Sequence, residues 1–428
     1  MNLKLLAVTL TLAALPSAAE TLFIRGGNIH TMAGSDIAGG SILIRDGKIS
    51  GVGKGLSPPE GARVIDATGL DIYPGLIDSA SEVGLSEIDM VRESSDIREL
   101  GRFNPQLSTW MAINPSSEHI PVTRANGITT VLALPDGELI AGRASLIHLS
   151  GWTTDQMVLN KFTVLHIVMP VIRTRTMQFP EGETRTPYEE VRKKYERDLQ
   201  ELDKFFEDAR RYAQMKAAND PEFRQDPKFE AMLPVLSRET PVLITAMRER
   251  EIRAAMDFAQ RQNVRMILSG AAESWKVASE LKKRNIPVVL QPTLSLPLEE
   301  DDPYDRPFTT PGELQKAGVL FSFGSFSNSF SRNLPYQAAA AVPFGLSRAD
   351  ALAAITVNPA KIFRMDKEIG TIEEGKIADL IVTTGDPLET RTEVRHVLIA
   401  GTEVSLDNRQ KQLYEKYSAR PEPTKESR

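Results

Sequence analysis

Apolar segments of strand length alternate with amphipathic segments through the middle of the chain. Candidate helices, such as residues 249–262 and 273–284, separate the apolar runs. This alternation is typical of βα units around a parallel sheet. Repeated on this scale, it predicts a (β/α)8 TIM-like barrel. A doubly wound open sheet is the alternative, although no glycine-rich phosphate loop follows any of the strands. The candidate strands are residues 128–134, 164–169, 242–246, 264–268, 286–290 and 319–323.

Both ends of the chain have a different pattern. Residues 21–63 contain short apolar runs separated by Gly26-Gly27, Gly39-Gly40 and Asp46-Gly47, and residues 370–406 repeat this character. Glycine-containing turns between short apolar runs are typical of β-hairpins. Each end therefore predicts a small group of strands.

The apolar pattern of residues 186–215 predicts a long amphipathic helix. This helix lies within a charged insertion at about residues 181–232. Its apolar positions recur at spacings of three and four, and they are Tyr188, Val191, Tyr195, Leu199, Leu202, Phe206, Ala209 and Ala213. Such a helix covers the outside of a barrel, or acts as a lid or dimerisation arm. A further helix is predicted from residue 349, capped by Ser347 with Asp350 three positions on. The polar residues 409–428 are predicted to form a flexible tail.

The first nineteen residues have the layout of a secretory signal peptide. Lys4 precedes an apolar run over residues 5–15, and Ser17-Ala18-Ala19 is a small-residue cleavage pattern. A membrane-spanning helix needs ~20 apolar residues, so this run is too short to serve as one. We therefore expect export to the periplasm or the exterior after cleavage near Ala19. A buried N-terminal helix is the alternative.

Composition narrows the possible partners. The chain has 51 basic and 57 acidic residues, a formal charge of −6, and no cysteine. A mildly acidic protein has no general attraction for nucleic acid or anionic lipid, so neither nucleic-acid binding nor membrane insertion is expected. Without cysteine, an exported chain relies on core packing rather than on disulfides.

Several motifs, read together and in order, resemble one hydrolase family. The N-terminal ones are residues 64–69 (VIDATG) and 73–78 (YPGLID); the C-terminal ones are residues 351–361 (ALAAITVNPAK), 370–382 (GTIEEGKIADLIV) and 385–388 (GDPL). The chain thus resembles the exported, imidazolonepropionase-like group of the amidohydrolase superfamily. The resemblance implies a composite β-sandwich, residues 20–73 plus 370–408, with the metal-dependent-hydrolase barrel of residues 74–369 inserted in it.

The resemblance also implies one or two divalent metals at the C-terminal mouth of the barrel. The ligand positions that it assigns are occupied here by Ser79, Ser81, Thr245, Ser269 and Phe326. Neutral hydroxyls are poor zinc ligands and phenylalanine offers none. A metal lowers the pKa of bound water from ~15.7 to ~7, which corresponds to ~12 kcal/mol of help in forming hydroxide. We therefore predict no metal cofactor.

A few other side chains could line a pocket. Asp78 belongs to the family motif, where it normally supports the first strand, and His119, His148 and His166 fall in or near early barrel units. Each histidine is a hydrogen-bonded structural residue or part of a new metal site. The acidic run from Glu82 to Glu99 either binds Ca²⁺ or Mg²⁺ or forms a solvated face.

Two functions remain open. The first is a pseudoenzyme that keeps the family fold, lacks the family hydrolysis of C–N bonds, and binds a small ligand or a protein partner. An active amidohydrolase homologue would be such a partner, by analogy, in a homo- or hetero-oligomer. The second is an active amidohydrolase that holds zinc or another divalent metal through an unconventional ligand set. That function requires His119, His148 or His166 to converge with a carboxylate at the barrel mouth.

Overall fold

The computed structural model describes residues 21–178 and 182–420. The predicted signal peptide, residues 1–19, and the last eight residues of the predicted tail lie outside this range. The first five strands follow directly from Thr21. They are β1 (Leu22–Ile29), β2 (Ile37–Arg45), β3 (Lys48–Gly53), β4 (Arg63–Asp66) and β5 (Asp71–Pro74).

Eight of the next ten strands form a second, nearly closed sheet, and the other two form a separate antiparallel pair. The strands in chain order are β6 (Leu76–Ser81), β7 (Ile128–Ala133), β8 (Ile140–His148), β9 (Val158–Val168), β10 (Arg175–Gln178), β11 (Gly182–Arg185), β12 (Val242–Ala246), β13 (Met266–Gly270), β14 (Val288–Leu290) and β15 (Phe321–Phe323). The gap between β15 and β6 is bridged by backbone, because Ile77 N donates to Ile355 O at 2.8 Å and Phe326 N donates to Ala80 O at 2.7 Å. The predicted barrel is confirmed.

One barrel strand differs from the regular pattern. β8 runs antiparallel to both of its neighbours, β7 and β9, and the sequence analysis did not predict it as a strand. Its neighbours are joined to it by short connections, which suffice for antiparallel strands but not for parallel ones. The barrel therefore has seven parallel strands and one reversed strand.

Side chains alternate between the barrel interior and the outer layer. Leu243, Ile267 and Val289 pack together inside, whereas Ile244 and Leu268 belong to the larger core between strands and helices. The helices are α1 (His119–Arg124), α2 (Thr154–Met157), α3 (Tyr188–Ala217), α4 (Pro227–Leu236), α5 (Glu249–Arg261), α6 (Ala278–Lys283), α7 (Arg306–Lys316), α8 (Leu334–Ala340), α9 (Arg348–Ala353), α10 (Val357–Ile362) and α11 (Arg409–Ser418).

The charged insertion covers the outside of the barrel. The apolar face of α3 is buried at Leu202 and Phe206, and the Phe206 ring meets Phe258 of α5 edge-on, with 5.2 Å between centroids. The predicted long helix is thus present and packs as a cover. The predicted cap of α9 is also confirmed, because Ser347 Oγ accepts from Asp350 N at 3.0 Å.

The last strands return to the first sheet: β16 (Leu380–Thr383), β17 (Val394–Ile399) and β18 (Thr402–Glu403). β16 pairs antiparallel with β5, with Leu380 opposite Pro74, so the sheet is built from both ends of the chain. Beyond it, α11 is helical, and Asn408 caps it by accepting from Lys411 N at 3.1 Å. The prediction of a flexible tail is wrong for residues 409–418. The segment is so polar that it lacks the apolar periodicity by which the other helices were predicted. Among the described helices, none is long and apolar enough to cross a membrane.

Candidate functional site

The candidate site is the mouth at the carboxyl ends of the parallel barrel strands. Thr245 and Ser269 lie two residues beyond the interior-packing Leu243 and Ile267, and side chains on a strand alternate with a period of two. Both therefore face the inside of the barrel, and they are opposite each other in the ladder of β12 and β13. The mouth is consequently lined with hydroxyls on this side.

His166 of β9 is fixed beside Thr245. Its Nδ1 lies 2.7 Å from Pro135 O and its Nε2 lies 2.8 Å from Thr245 Oγ1. A carbonyl only accepts, so Nδ1 carries a proton and donates it. Burial lowers the pKa of His166, which keeps the ring neutral, and Nε2 accordingly accepts from the Thr245 hydroxyl. Both ring nitrogens are thus already used.

The serines of the mouth are also buried. Ser79 Oγ donates to Ser322 Oγ at 2.7 Å across the junction of β6 and β15. Ser81 Oγ donates to Ser327 O at 3.2 Å and accepts from Val83 N at the same distance. Ser269 Oγ, in contrast, is buried and finds no hydrogen-bond partner among the described residues. The hydroxyls of Ser79 and Ser81 are thus engaged by neighbouring strands and loops, whereas that of Ser269 is not.

Phe326 contributes an apolar group to the same mouth. Its backbone has φ = +49°, and its side chain packs against the interior cluster of the barrel. A β-carbon added at Gly324 would lie 2.8 Å from Ala80 Cβ and 2.9 Å from Phe326 Cε2. The Ala80 methyl group and the Phe326 ring therefore both crowd against Gly324, where only glycine fits. The sequence analysis did not select Ala80 or Gly324 as site positions.

Asp78 lies in β6 and is fully buried. Its Oδ1 accepts from Ser325 N at 2.9 Å and from Ala80 N at 3.2 Å, and its Oδ2 accepts from Ser331 Oγ at 2.6 Å. Burial raises the pKa of Asp78 to about 6, although these hydrogen bonds act in the opposite direction. The carboxyl group ties β6 to the loop after β15.

The other two pocket histidines lie apart from His166. His119 Nε2 donates to Glu87 O at 2.9 Å, and His148 Nε2 donates to Asp379 Oδ2 at 2.9 Å. Because β8 is reversed, Gly142 is opposite His166, and His148 lies six residues further along the strand. At ~3.3 Å per residue, His148 is roughly 20 Å away, at the end of the barrel that faces the composite sheet. The structure therefore does not bring the three histidines together.

Glu82 lies at the mouth, although the sequence analysis considered it only as part of the acidic run. It follows β6 directly, is half-buried, and its N donates to Ser327 O at 3.3 Å. Burial first, and then the charges of Asp89 and Asp136, raise the pKa of Glu82 to about 7. The interpretation of the acidic run as a solvated face is therefore wrong at this residue. The sequence signal that could have identified Glu82 is its position directly after the first barrel strand, not the number of acidic residues around it.

The mouth does not fit the divalent metal that the fold family implies. Within residues 21–178 and 182–420, no three histidine, cysteine, aspartate or glutamate side chains form a group that could hold an ion. The nearby imidazole of His166 is engaged at both nitrogens. Glu82 is a single carboxyl group, whereas catalytic zinc sites use three protein ligands. No chemical step through a metal can be assigned to these residues.

A barrel whose companion sheet combines strands from both chain ends defines the metal-dependent-hydrolase class of fold. Residues 311–404 match the sequence profile of the Amidohydrolase family. An imidazolonepropionase of Caldanaerobacter subterraneus subsp. tengcongensis is 23% identical over 391 residues, 83% of this chain and 86% of the relative.

Two further similarities agree with this class. A dihydroorotase of Citrifermentans bemidjiense is 44% identical over 57 residues, 13% of each protein. The crystal structure of an amidohydrolase from Thermotoga maritima superimposes with a TM-score of 0.79 at 24% identity, covering 90% of this chain and 99% of that one. The chain is thus similar to amidohydrolases in part of its sequence and has the fold of one of them.

Proposed function

We propose that this protein is an exported pseudoenzyme of the superfamily, which binds a small ligand or a protein partner instead of hydrolysing a C–N bond with a metal. The observation that carries the proposal is the state of the mouth. Thr245 and His166 are bonded to each other, the second nitrogen of His166 is bonded to a carbonyl, and Phe326 adds an aromatic ring. Export rests on the signal-peptide pattern of residues 1–19 alone.

The energetics of hydrolysis support this proposal. Without a metal, water at neutral pH is a poor nucleophile, and forming hydroxide costs roughly 12 kcal/mol more than on a bound metal. Hydrogen bonds between neutral groups contribute about 1 kcal/mol each. The hydroxyls of the mouth therefore cannot replace a Lewis acid.

Metal content of the purified mature protein tests the proposal. The protein is incubated with zinc, dialysed, and analysed by inductively coupled plasma mass spectrometry beside assays of dipeptide and lactam hydrolysis. We expect zinc far below one equivalent and no chelator-sensitive turnover. The double variant Thr245→His/Ser269→His places two imidazoles beside His166, whose bond to the Thr245 hydroxyl it removes. The resulting three imidazoles make it the matched positive control for zinc uptake. One equivalent of zinc in the wild type, with turnover that a chelator abolishes, would overturn the proposal.

A second candidate, an active amidohydrolase with an unconventional site, is favoured by one observation. The pKa of Glu82 is raised to about 7 at the mouth, which suits a carboxyl group to proton transfer at neutral pH. This function predicts hydrolysis of a C–N substrate that survives chelation and is lost in Glu82→Gln. The same assays with Glu87→Gln, in the same acidic run, control for the loss of one charge. The pseudoenzyme proposal predicts no turnover in any of these proteins.

A further inference from the structure

A second cavity lies at the opposite end of the barrel from the mouth. We call it the basal arginine cavity; it has a volume of about 580 Å³ and is lined by residues that precede β12, β13 and β14, among them Pro241, Val264 and Pro287. This volume is within the range of pockets that hold small molecules. Four arginines line it: Arg238, Arg265, Arg284 and Arg364. Among the described residues, no carboxylate side chain lines the cavity.

The four guanidinium groups are not equivalent. Arg284 is paired, because its Nη2 donates to Glu280 Oε1 at 2.7 Å. Arg238 Nη1 donates only to an amide oxygen, that of Asn263, at 2.7 Å. In the described part of the chain, Arg238, Arg265 and Arg364 form no ion pair with a carboxylate. Three positive charges thus line one cavity of a protein whose formal charge is −6.

Two of these arginines share an acceptor. Arg265 Nη2 donates to Glu239 O, and Arg364 Nη1 reaches the same oxygen at 3.5 Å. Arg265 Nε is buried, and no described residue accepts a hydrogen bond from it. Burial and the charges of Arg364 and Arg238 all lower the pKa of Arg265. Like charges held this close repel each other, and a bound anion would relieve that repulsion.

Capping of helix carbonyls does not account for the whole arrangement. Arg238 and Arg364 follow α4 and α10 in left-handed backbone, at φ = +64° and +60°. Glycine or asparagine is the usual residue at that position, and Asn263 after α5 is an example. One hydrogen-bond donor would suffice for the Glu239 carbonyl oxygen, but the guanidinium groups of both Arg265 and Arg364 reach it. Arginine at both cap positions brings two guanidinium groups to the same cavity.

We propose that the basal arginine cavity binds a small organic dianion, a phosphate monoester or a dicarboxylate. Arg238, Arg265 and Arg364 would neutralise its oxygens, since guanidinium groups match the geometry of phosphate and carboxylate. Met256, Ile286 and Ile362, which also line the cavity, would contact its apolar body. The site is separate from the mouth, and so it does not depend on whether the protein hydrolyses anything.

Inorganic phosphate and succinate serve as probes, with sodium chloride at matched ionic strength as the control. Titration calorimetry and thermal unfolding are measured on the full protein. We expect at least one of the two dianions to bind saturably and to raise Tm above the chloride control. The variants Arg238→Gln and Arg364→Gln should each weaken that binding at least tenfold.

Two matched variants make the test specific. Arg284→Gln removes a cavity arginine that is already paired, and Arg391→Gln removes an exposed arginine elsewhere; both should change affinity less than threefold. Binding of phosphate but not succinate would identify the phosphate class, and the reverse the dicarboxylate class. The proposal is overturned if neither dianion exceeds chloride, or if Arg238→Gln and Arg364→Gln bind as tightly as the wild type.

Discussion

The buried carboxyl group of Asp78 should make the stability of the protein fall as the pH rises. Its pKa is about 6 in the folded protein, against 3.8 for an ordinary aspartate. Between these two values the folded state holds a proton that the unfolded state has released. Stability is therefore greatest below the unfolded pKa and is lost as the pH rises through about 6.

The size of the effect follows from the shift. A difference of about two pKa units corresponds to about 3 kcal/mol in total, at about 1.4 kcal/mol per unit. From about pH 4.5 to about pH 7 the contribution of Asp78 falls by about 2 kcal/mol. Asp78→Asn keeps the shape and can still accept from Ser325 N and Ala80 N, while its amide donates to Ser331 Oγ. That variant lacks the proton-linked term.

The assay is urea unfolding of wild type and Asp78→Asn across this pH range. Subtracting the two curves cancels the other titrating groups, Glu82 included, and leaves the Asp78 term. Asp46→Asn, at an exposed turn, controls for the loss of one charge. The reasoning is refuted if the difference between wild type and Asp78→Asn stays constant within about 0.5 kcal/mol, or if it changes in the opposite direction.

Two further predictions concern buried polar groups. Ser269→Ala should leave urea stability unchanged or raise it by up to about 1 kcal/mol, because no described residue bonds Ser269 Oγ; a loss above about 1 kcal/mol would contradict this. His148→Ala should cost about 3 kcal/mol in the same assay, because Asp379 would lose a buried partner. Burial disfavours the charged form of His148, but the carboxylate of Asp379 outweighs it and raises the pKa of the imidazole. The loss of stability in His148→Ala should therefore be largest below pH ~6.5 and decline at higher pH. A loss that grows with pH would contradict this prediction.

Much of the fold could be predicted from local patterns. β12 and β13 are buried on both faces, so each is a run of apolar residues in the sequence. The helix between them has apolar residues at the helical spacing of three and four. β8 was not predicted as a strand because Gly142 and Arg143 interrupt its apolar pattern. Its reversed direction depends on the short connections to its neighbours. Strand direction is a property of the assembled sheet.

The sites were less accessible to sequence reasoning. The roles of Thr245 and His166 depend on a hydrogen bond across two strands that are 79 positions apart. The arginines of the basal cavity come from the ends of separate helices and strands, so their convergence has no signature in the sequence. Glu82 was grouped with exposed acids because its contact with Ser327, in the loop after β15, joins residues far apart in the sequence.

The pairing of β5 with β16 has a consequence for folding. Thr383 Oγ1 donates to Asp71 O at 3.4 Å across 312 positions. Closing a loop of this length costs roughly 5 kcal/mol of chain entropy. Folding of the barrel, which lies between β5 and β16 in the sequence, must offset this cost. Until β16 arrives, β5 has an unpaired edge that another chain could pair with. Removal of the last three strands should therefore leave a species that aggregates through the exposed edge of β5, with its barrel segments intact.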